Sequence, residues 1–196
     1  MKRAKSHFQE KEPVLESLFQ NIRFKKIEPF VKPKSKILDL GCGYRGTFLK
    51  KSSSIITEGI GYDISVVKQE MAGNIKLFPK KLDGDLKLPP NHFDLVISLA
   101  VIEHLENPQS MINQVYKTLK KGGLFILTTP SPYAKPVLEF LAFKIHIVSE
   151  QEIRDHKAYH SEKDLVKMLN TSGFQKRNIK TKSFELGFNI LVTSKK

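Results

Sequence analysis

One cysteine, Cys42, is all that the 196 residues contain. Its solitude excludes an internal disulfide and any zinc site built from several thiolates, and it suits a reducing compartment. Long apolar runs are missing too. The longest, LVISLAVI at 95–102, has the length of a buried strand and its exit, well short of the roughly 18 residues of a membrane span. The opening MKRAKSHFQEKE is basic but lacks the apolar stretch of a signal peptide, so export is not expected. Repeats and low-complexity tracts are absent. What is present suffices for a core: 40% of the residues are hydrophobic and 27% charged, in 22.4 kDa. The expectation is one soluble, cytoplasmic domain over residues 1–196, with no transmembrane segment.

The formal charge of +13 is unevenly placed. Residues 1–36 carry ten basic and four acidic side chains, and residues 171–196 carry six and one, which leaves +2 for the 134 residues between. A basic fringe attracts anionic partners such as nucleic acid or lipid. No arginine-rich or aromatic-interleaved stretch adds to it, so a lysine-rich solvated surface is the favoured reading and a nucleic-acid partner is not.

Apolar residues at Val14, Leu15, Leu18, Phe19, Ile22, Ile27, Phe30 and Val31 recur at helical intervals, which predicts a helix over 12–31 opened by Pro13. Strands are predicted at 36–40 (KILDL), 55–63, from Ile75 to Phe78, at 93–98 (FDLVIS) and at 124–129 (LFILTT). Between the last two, Asn107 to Lys120 reads as a helix capped by Asn107, with Pro108 in its first turn and Gly122-Gly123 ending it. Ser161 caps another through about Asn170, stopped by Gly173. Phe174–Lys180 and Phe184–Thr193 read as a closing pair of strands. Strands separated by helical stretches imply an α/β fold with a mostly parallel sheet covered on both faces. Residues 1–35 form a helical extension. Residues 130–160 form an insertion, broken by proline at its start, with eight large apolar residues between Val137 and Val148. It is either an acceptor lid or a cover for the sheet edge.

The most informative stretch is ILDLGCGYRG at 37–46. A strand that runs into Gly41, Gly43 and Gly46 can turn tightly and bring backbone against a ligand without Cβ obstruction. Asp39 stands two residues before Gly41, where it faces the cationic end of a ligand or caps the turn. Asp63 ends the next strand, placed either to accept both hydroxyls of a ribose or to cap a following helix.

These motifs together resemble the class I methyltransferases that use S-adenosyl-L-methionine. ILDLGCG is similar to their first motif, GIGYDIS to the second, LDGDLKLP to the third, and FDLVISLAVIEHLENP to the fourth strand and exit of the ubiquinone-type, small-molecule enzymes. LKKGGLFILTTP and HSEKDLVKMLNTSGF continue the likeness, which covers residues 20–175. It implies a Rossmann-like doubly wound sheet with an antiparallel C-terminal strand and helices on both faces. It also implies a site for S-adenosyl-L-methionine. Gly41, Cys42 and Gly43 would lie beneath the methionine moiety, with Asp39 near its amino group and Arg23 near its carboxylate. Asp63 and Ile64 would be at the ribose, Asp83 and Gly84 at the adenine, and Leu99 and Ala100 near the sulfonium. Where the family often has glycine this chain has Arg45, which stiffens the loop.

Methyl transfer from a sulfonium chiefly requires alignment, and a base only where the acceptor must lose a proton. Glu103, His104, His156, Tyr159 and His160 follow the presumed strand ends, and His104 and His156 are the favoured catalytic pair. No HxxxH-type spacing sits on one helix, so no metal is expected; Glu103, His104 and His156 come nearest to a ligand set. The expected reaction is methylation of a small molecule, apolar or lipid-like, at a hydroxyl. TTPSPYAKP also resembles a turn of enzymes acting on sugars and glycan precursors, which keeps a saccharide open. An RNA or protein methyltransferase, a nicotinamide oxidoreductase and a non-catalytic binder of the cofactor are the competing readings.

Overall fold

The computed structural model describes residues 14–67, 69–144 and 150–196. Helix α1 (Val14–Ile27) leads through a 3-10 turn, Glu28–Phe30, into strand β1 (Lys36–Leu40). The chain then forms α2 (Thr47–Ser52), β2 (Glu58–Asp63), β3 (Glu70–Ala72), β4 (Ile75–Pro79) and β5 (Phe93–Leu99). Beyond these come α3 (Pro108–Thr118), β6 (Leu119–Pro130), α4 (Ala134–Phe143), α5 (Glu150–Asp155), α6 (Glu162–Thr171), β7 (Ile179–Phe184) and β8 (Asn189–Lys195).

All eight strands join one sheet in the order β3-β4-β2-β1-β5-β6-β8-β7. β4, β2, β1, β5 and β6 run parallel, while β8 is antiparallel to β6, β7 to β8, and β3 to β4. The doubly wound expectation holds. From β1 the chain builds outward through β2 and β4 on one side and through β5 and β6 on the other, so the strand order reverses between β1 and β5. Open α/β sheets bind ligands beyond the carboxyl ends of the strands at such a reversal.

Alternate strand residues feed two cores, as the two-residue period of a strand requires. Leu38, Leu40, Val96, Phe125 and Leu127 pack with Met111, Ile112 and Val115 of α3 and Leu165 and Leu169 of α6. On the opposite face Ile37, Leu95, Ile97 and Ile126 meet Phe24 and Ile27 of α1 and Phe48 and Leu49 of α2. Each fully buried side chain of this size contributes roughly 1.5–3 kcal/mol. Caps fix the helix starts. The Asn107 side chain accepts from Ser110 N at 3.1 Å, with Pro108 next in line. Ser161 and Asp164 exchange side-chain and backbone bonds in a capping box at α6.

Several boundaries differ from the sequence reading. The expected helix start at residue 12 and Pro13 lies outside the described residues, and α1 stops at Ile27 because Pro29 has no N–H to continue it. Residues 55–57 are not strand: Ile55 and Ile56 close α2 by bonding Ser52 O. Among the described residues no helix follows Asp63: the chain turns at Ser65 and returns as β3. The expected strand over 174–180 is displaced. Phe174 is a core residue that closes α6, with its N–H on Leu169 O at 3.1 Å and its ring against Tyr116 and Phe125, and β7 begins only at Ile179. The last strand begins at Asn189 rather than 184, after a turn with positive φ at Glu185, Leu186 and Gly187. The 130–160 insertion contains α4 and α5; its residues 145–149 lie outside the described set.

Candidate functional site

The turn after β1 lies at the sheet's reversal. Gly41 and Gly43 adopt φ of +86° and +66°, values that favour glycine. Gly41 N and Cys42 N both donate to Tyr62 O of β2, at 2.8 and 3.3 Å. Gly43 N donates to Asp63 Oδ2 at 2.8 Å, while Asp63 Oδ1 accepts from Ser65 N and Oγ. Asp63 therefore ties the turn to its own strand end, and a carboxylate still has lone-pair capacity for a ligand hydroxyl. Ile64 beside it is 62% exposed, an apolar flank open to a flat ligand. Gly43 faces clear space, for a Cβ there would meet nothing within 4 Å.

Asp39 is buried behind this turn. Burial, and secondarily the Asp63 charge, push its carboxyl up to about 8 from an ordinary 3.8. Two acids thus share a small volume with one of them protonated near neutrality, an environment that a ligand cation would relieve. From the other side of the reversal come Leu99, at the end of β5, and Ala100, whose φ of +53° is strained for a residue with a Cβ. Ala100 N is held by Thr128 O at 2.9 Å. A Cβ on Gly41 would lie 2.1 Å from Val101 Cγ2, so the two loops are in direct contact.

Asp83 and Gly84 sit in the exposed loop after β4. Asp83 Oδ1 accepts from Glu106 N at 2.9 Å and Asn107 N at 3.3 Å, and Gly84 O from Gln114 Nε2 at 3.0 Å, which fastens this loop to the entry and the middle of α3. Arg45 stacks on the exposed Tyr44 ring, 4.8 Å from guanidinium carbon to centroid. Arg23 is placed differently from the other predicted residues: its charge reaches Glu103 and Glu185.

Just beyond Ala100, a 3-10 turn at Ile102–His104 carries the titratable cluster. The His104 and His156 rings lie edge to face with centroids 4.7 Å apart. Sequence spacing could not show that ligand atoms of Glu103, His104 and His156 all fall within 4.8 Å of one another. Lys157 N and Ala158 N both donate to Glu103 O, at 2.7 and 3.3 Å, which clamps the His156 segment onto the turn. His156 Nδ1 lies 2.9 Å from Tyr159 Oη. Burial, with His104 nearby, pushes the His156 imidazole down to about 4, against a weaker opposing pull from Asp155, so it is neutral at pH 7. Glu103 moves the other way: burial lifts its carboxyl to about 7, although Thr129 Oγ1 donates to its Oε2 at 3.0 Å. Among the described residues its buried Oε1 has no hydrogen-bond partner. His160 is likewise shifted down by burial. The sequence named Glu103 as a candidate, but nothing in the pattern EHL distinguishes a buried acid from a surface one.

A family model described as a methyltransferase domain matches residues 11–179. The chain is 28% identical over 141 residues to phosphoethanolamine N-methyltransferase 3 of Arabidopsis thaliana, a match covering 64% of this chain but 29% of that protein. It is 25% identical over 175 residues to the ubiquinone biosynthesis O-methyltransferase of Vibrio atlanticus, covering 79% and 72% respectively. The chain thus spans less than a third of the plant relative. In fold it is similar to an S-adenosylmethionine dependent methyltransferase from Mesorhizobium loti, with a TM-score of 0.68, 20% identity and coverage of 89% and 96%.

Proposed function

This chain belongs to the methyltransferase-domain family, and we propose that it methylates a small molecule at a hydroxyl, with S-adenosyl-L-methionine as the donor. When bound, that cofactor supplies an activated methyl group on a sulfonium. The residues fit it: the Gly41–Gly43 turn leaves open space at Gly43, Asp63 closes one side, and the buried Asp39 offers a partner for an ammonium. Ile64, Asp83 and Gly84 would take the adenosine, and Cys42, Leu99 and Ala100 the reacting end. Arg23, given its reach toward Glu103 and Glu185, would serve the carboxylate of the cofactor or a charged acceptor.

The observation that carries the reading is the pairing of His104 with His156 directly past Ala100, beside the buried Glu103. Alignment alone supplies roughly 7–11 kcal/mol to a displacement of this kind. The histidine pair is the route by which the acceptor hydroxyl loses its proton. A neutral His156 keeps a lone pair available for that task at pH 7. The segment between Tyr133 and Phe143, with Tyr133 at 81% and Phe140 at 55% exposure, would cover an apolar acceptor. No helix among the described residues is long and apolar enough to cross a membrane, and the unpaired, buried Cys42 suits work in the cytoplasm. The test is a screen of metabolite extracts with methyl-labelled cofactor. Label in an O-methylated small molecule supports the reading; label confined to RNA or protein refutes it.

A further inference from the structure

We propose that Glu103, His104 and His156 hold a divalent first-row transition cation of the zinc type, at the mouth of the methyl-transfer site. Two imidazoles and one carboxylate form a donor set that such ions prefer over magnesium or calcium. With ligand atoms within 4.8 Å of one another, side-chain adjustments of about 1 Å would bring them to the separations set by metal bonds of roughly 2.0–2.2 Å.

Three features mark the cluster as built. Thr129 Oγ1 holds Glu103 Oε2, whereas Oε1 is buried and, among the described residues, receives no hydrogen bond. A buried carboxylate oxygen left so is costly unless something positive completes it. His156 has an outer partner, since Tyr159 Oη sits 2.9 Å from Nδ1. With Nδ1–H donating to that hydroxyl, Nε2 carries the lone pair, an arrangement common around metal-bound histidine. Finally, the two chain segments are joined by backbone, through the Lys157 and Ala158 amides on Glu103 O. The ligands therefore come from a braced pair of loops.

Three protein ligands leave one position for an exchangeable oxygen. The consequence for catalysis rests on the O-methylation reading. With the cation in place it, rather than a free imidazole, would acidify an acceptor hydroxyl at that position, which would pass its proton to water; the oxygen lone pair would then form the bond to the methyl carbon as the carbon–sulfur pair departs onto sulfur, giving an ether, a neutral thioether and a released proton. Cation binding itself does not depend on that reading.

The test uses the full chain, stripped with chelator, and titrated with Co²⁺ followed spectroscopically and with Zn²⁺ followed by calorimetry. No acceptor is present. Parent protein should bind one equivalent and develop a visible Co²⁺ band. His156→Ala and Glu103→Gln should each weaken Zn²⁺ binding by 100-fold or more, while His92→Gln, at a histidine paired with Glu58, should match the parent. Binding of S-adenosyl-homocysteine by each variant shows that it is folded. Absence of stoichiometric binding in the parent, or equal affinity in parent and cluster variants, overturns the proposal. Failure to find an O-methylated product would leave these titrations untouched and refute only the reaction.

Discussion

Replacing Asp39 with asparagine should make the cofactor-free protein more stable at alkaline pH, the reverse of the usual outcome for an altered site residue. The folded-state carboxyl titrates near 8 and the unfolded one near 3.8. Between those values the folded chain holds a proton that the unfolded chain has released, so the parent's stability falls as pH rises through the interval. Each pH unit there costs about 1.36 kcal/mol, and the whole interval on the order of 5 kcal/mol. Asparagine imitates the protonated acid and does not titrate. At pH 5, about one pH unit above the unfolded value, the variant should lead by only about 1–2 kcal/mol; at pH 9 it should lead by on the order of 5 kcal/mol. Guanidinium denaturation at pH 5, 7 and 9 reads this directly. Parallel profiles, within about 0.5 kcal/mol at every pH, would refute the argument. The same reasoning extends to the ligand. A bound ammonium stabilises the ionised acid, so cofactor binding near pH 7 should release a proton from the parent and none from that position in Asp39→Asn. Calorimetry in buffers of different ionisation heat measures it.

Asp63→Ala should weaken binding of S-adenosyl-homocysteine by about 1.5–3 kcal/mol by calorimetry, as expected for lost charge-assisted hydrogen bonds. Alanine at Gly41 and at Gly43 should act differently. Both carry a positive-φ cost of about 1–2 kcal/mol; the first must also displace Val101 from 2.1 Å, which adds roughly 1–3 kcal/mol of lost stability, whereas the second, in open space, should chiefly reduce cofactor affinity. His156→Ala should slow turnover by about 10²–10⁴-fold with cofactor affinity unchanged, and full activity in both the single and the His104 double variant would remove the pair from the reaction. Random RNA, attracted to lysines such as Lys163, Lys167 and Lys176 along the cleft between α6 and β7, should bind weakly and lose affinity steeply with salt; a complex that survives about 0.2 M salt would favour the nucleic-acid reading.

The central fold was legible in sequence because its strands are short apolar runs with turn residues on one side, Gly41 after β1 and Pro89-Pro90-Asn91 before β5: β1 is read to the residue, and β5 to within one. Caps were equally plain, since Asn107 and Ser161 act locally. The helix expected through Lys120 and ended by Gly122-Gly123 stops at Thr118, and those residues lie inside β6, whose strand pairing outweighs the local turn signal of two glycines. Another error arose where a hydrophobic residue serves a distant partner. Phe174 has the look of a strand residue, yet its place is set by Tyr116 and Phe125, which sequence distance conceals. The site followed the same division. The glycine turn and Asp63 announce themselves through spacing, while the meeting of Glu103 and His104 with His156 depends on two backbone bonds that no local pattern encodes.

Val101 has its methyl group where Gly41 lacks one. That single contact lies between the glycine turn proposed to hold the donor and the loop proposed to face the acceptor. On that proposal, a lineage, or an engineer, seeking a new acceptor by altering residues after β5 works on the floor of the proposed donor site at the same time. Changes that enlarge position 101 should be paid for in donor affinity, and smaller residues there should loosen the glycine turn. Selectivity toward one substrate and retention of the other would then be a shared inheritance of one side chain.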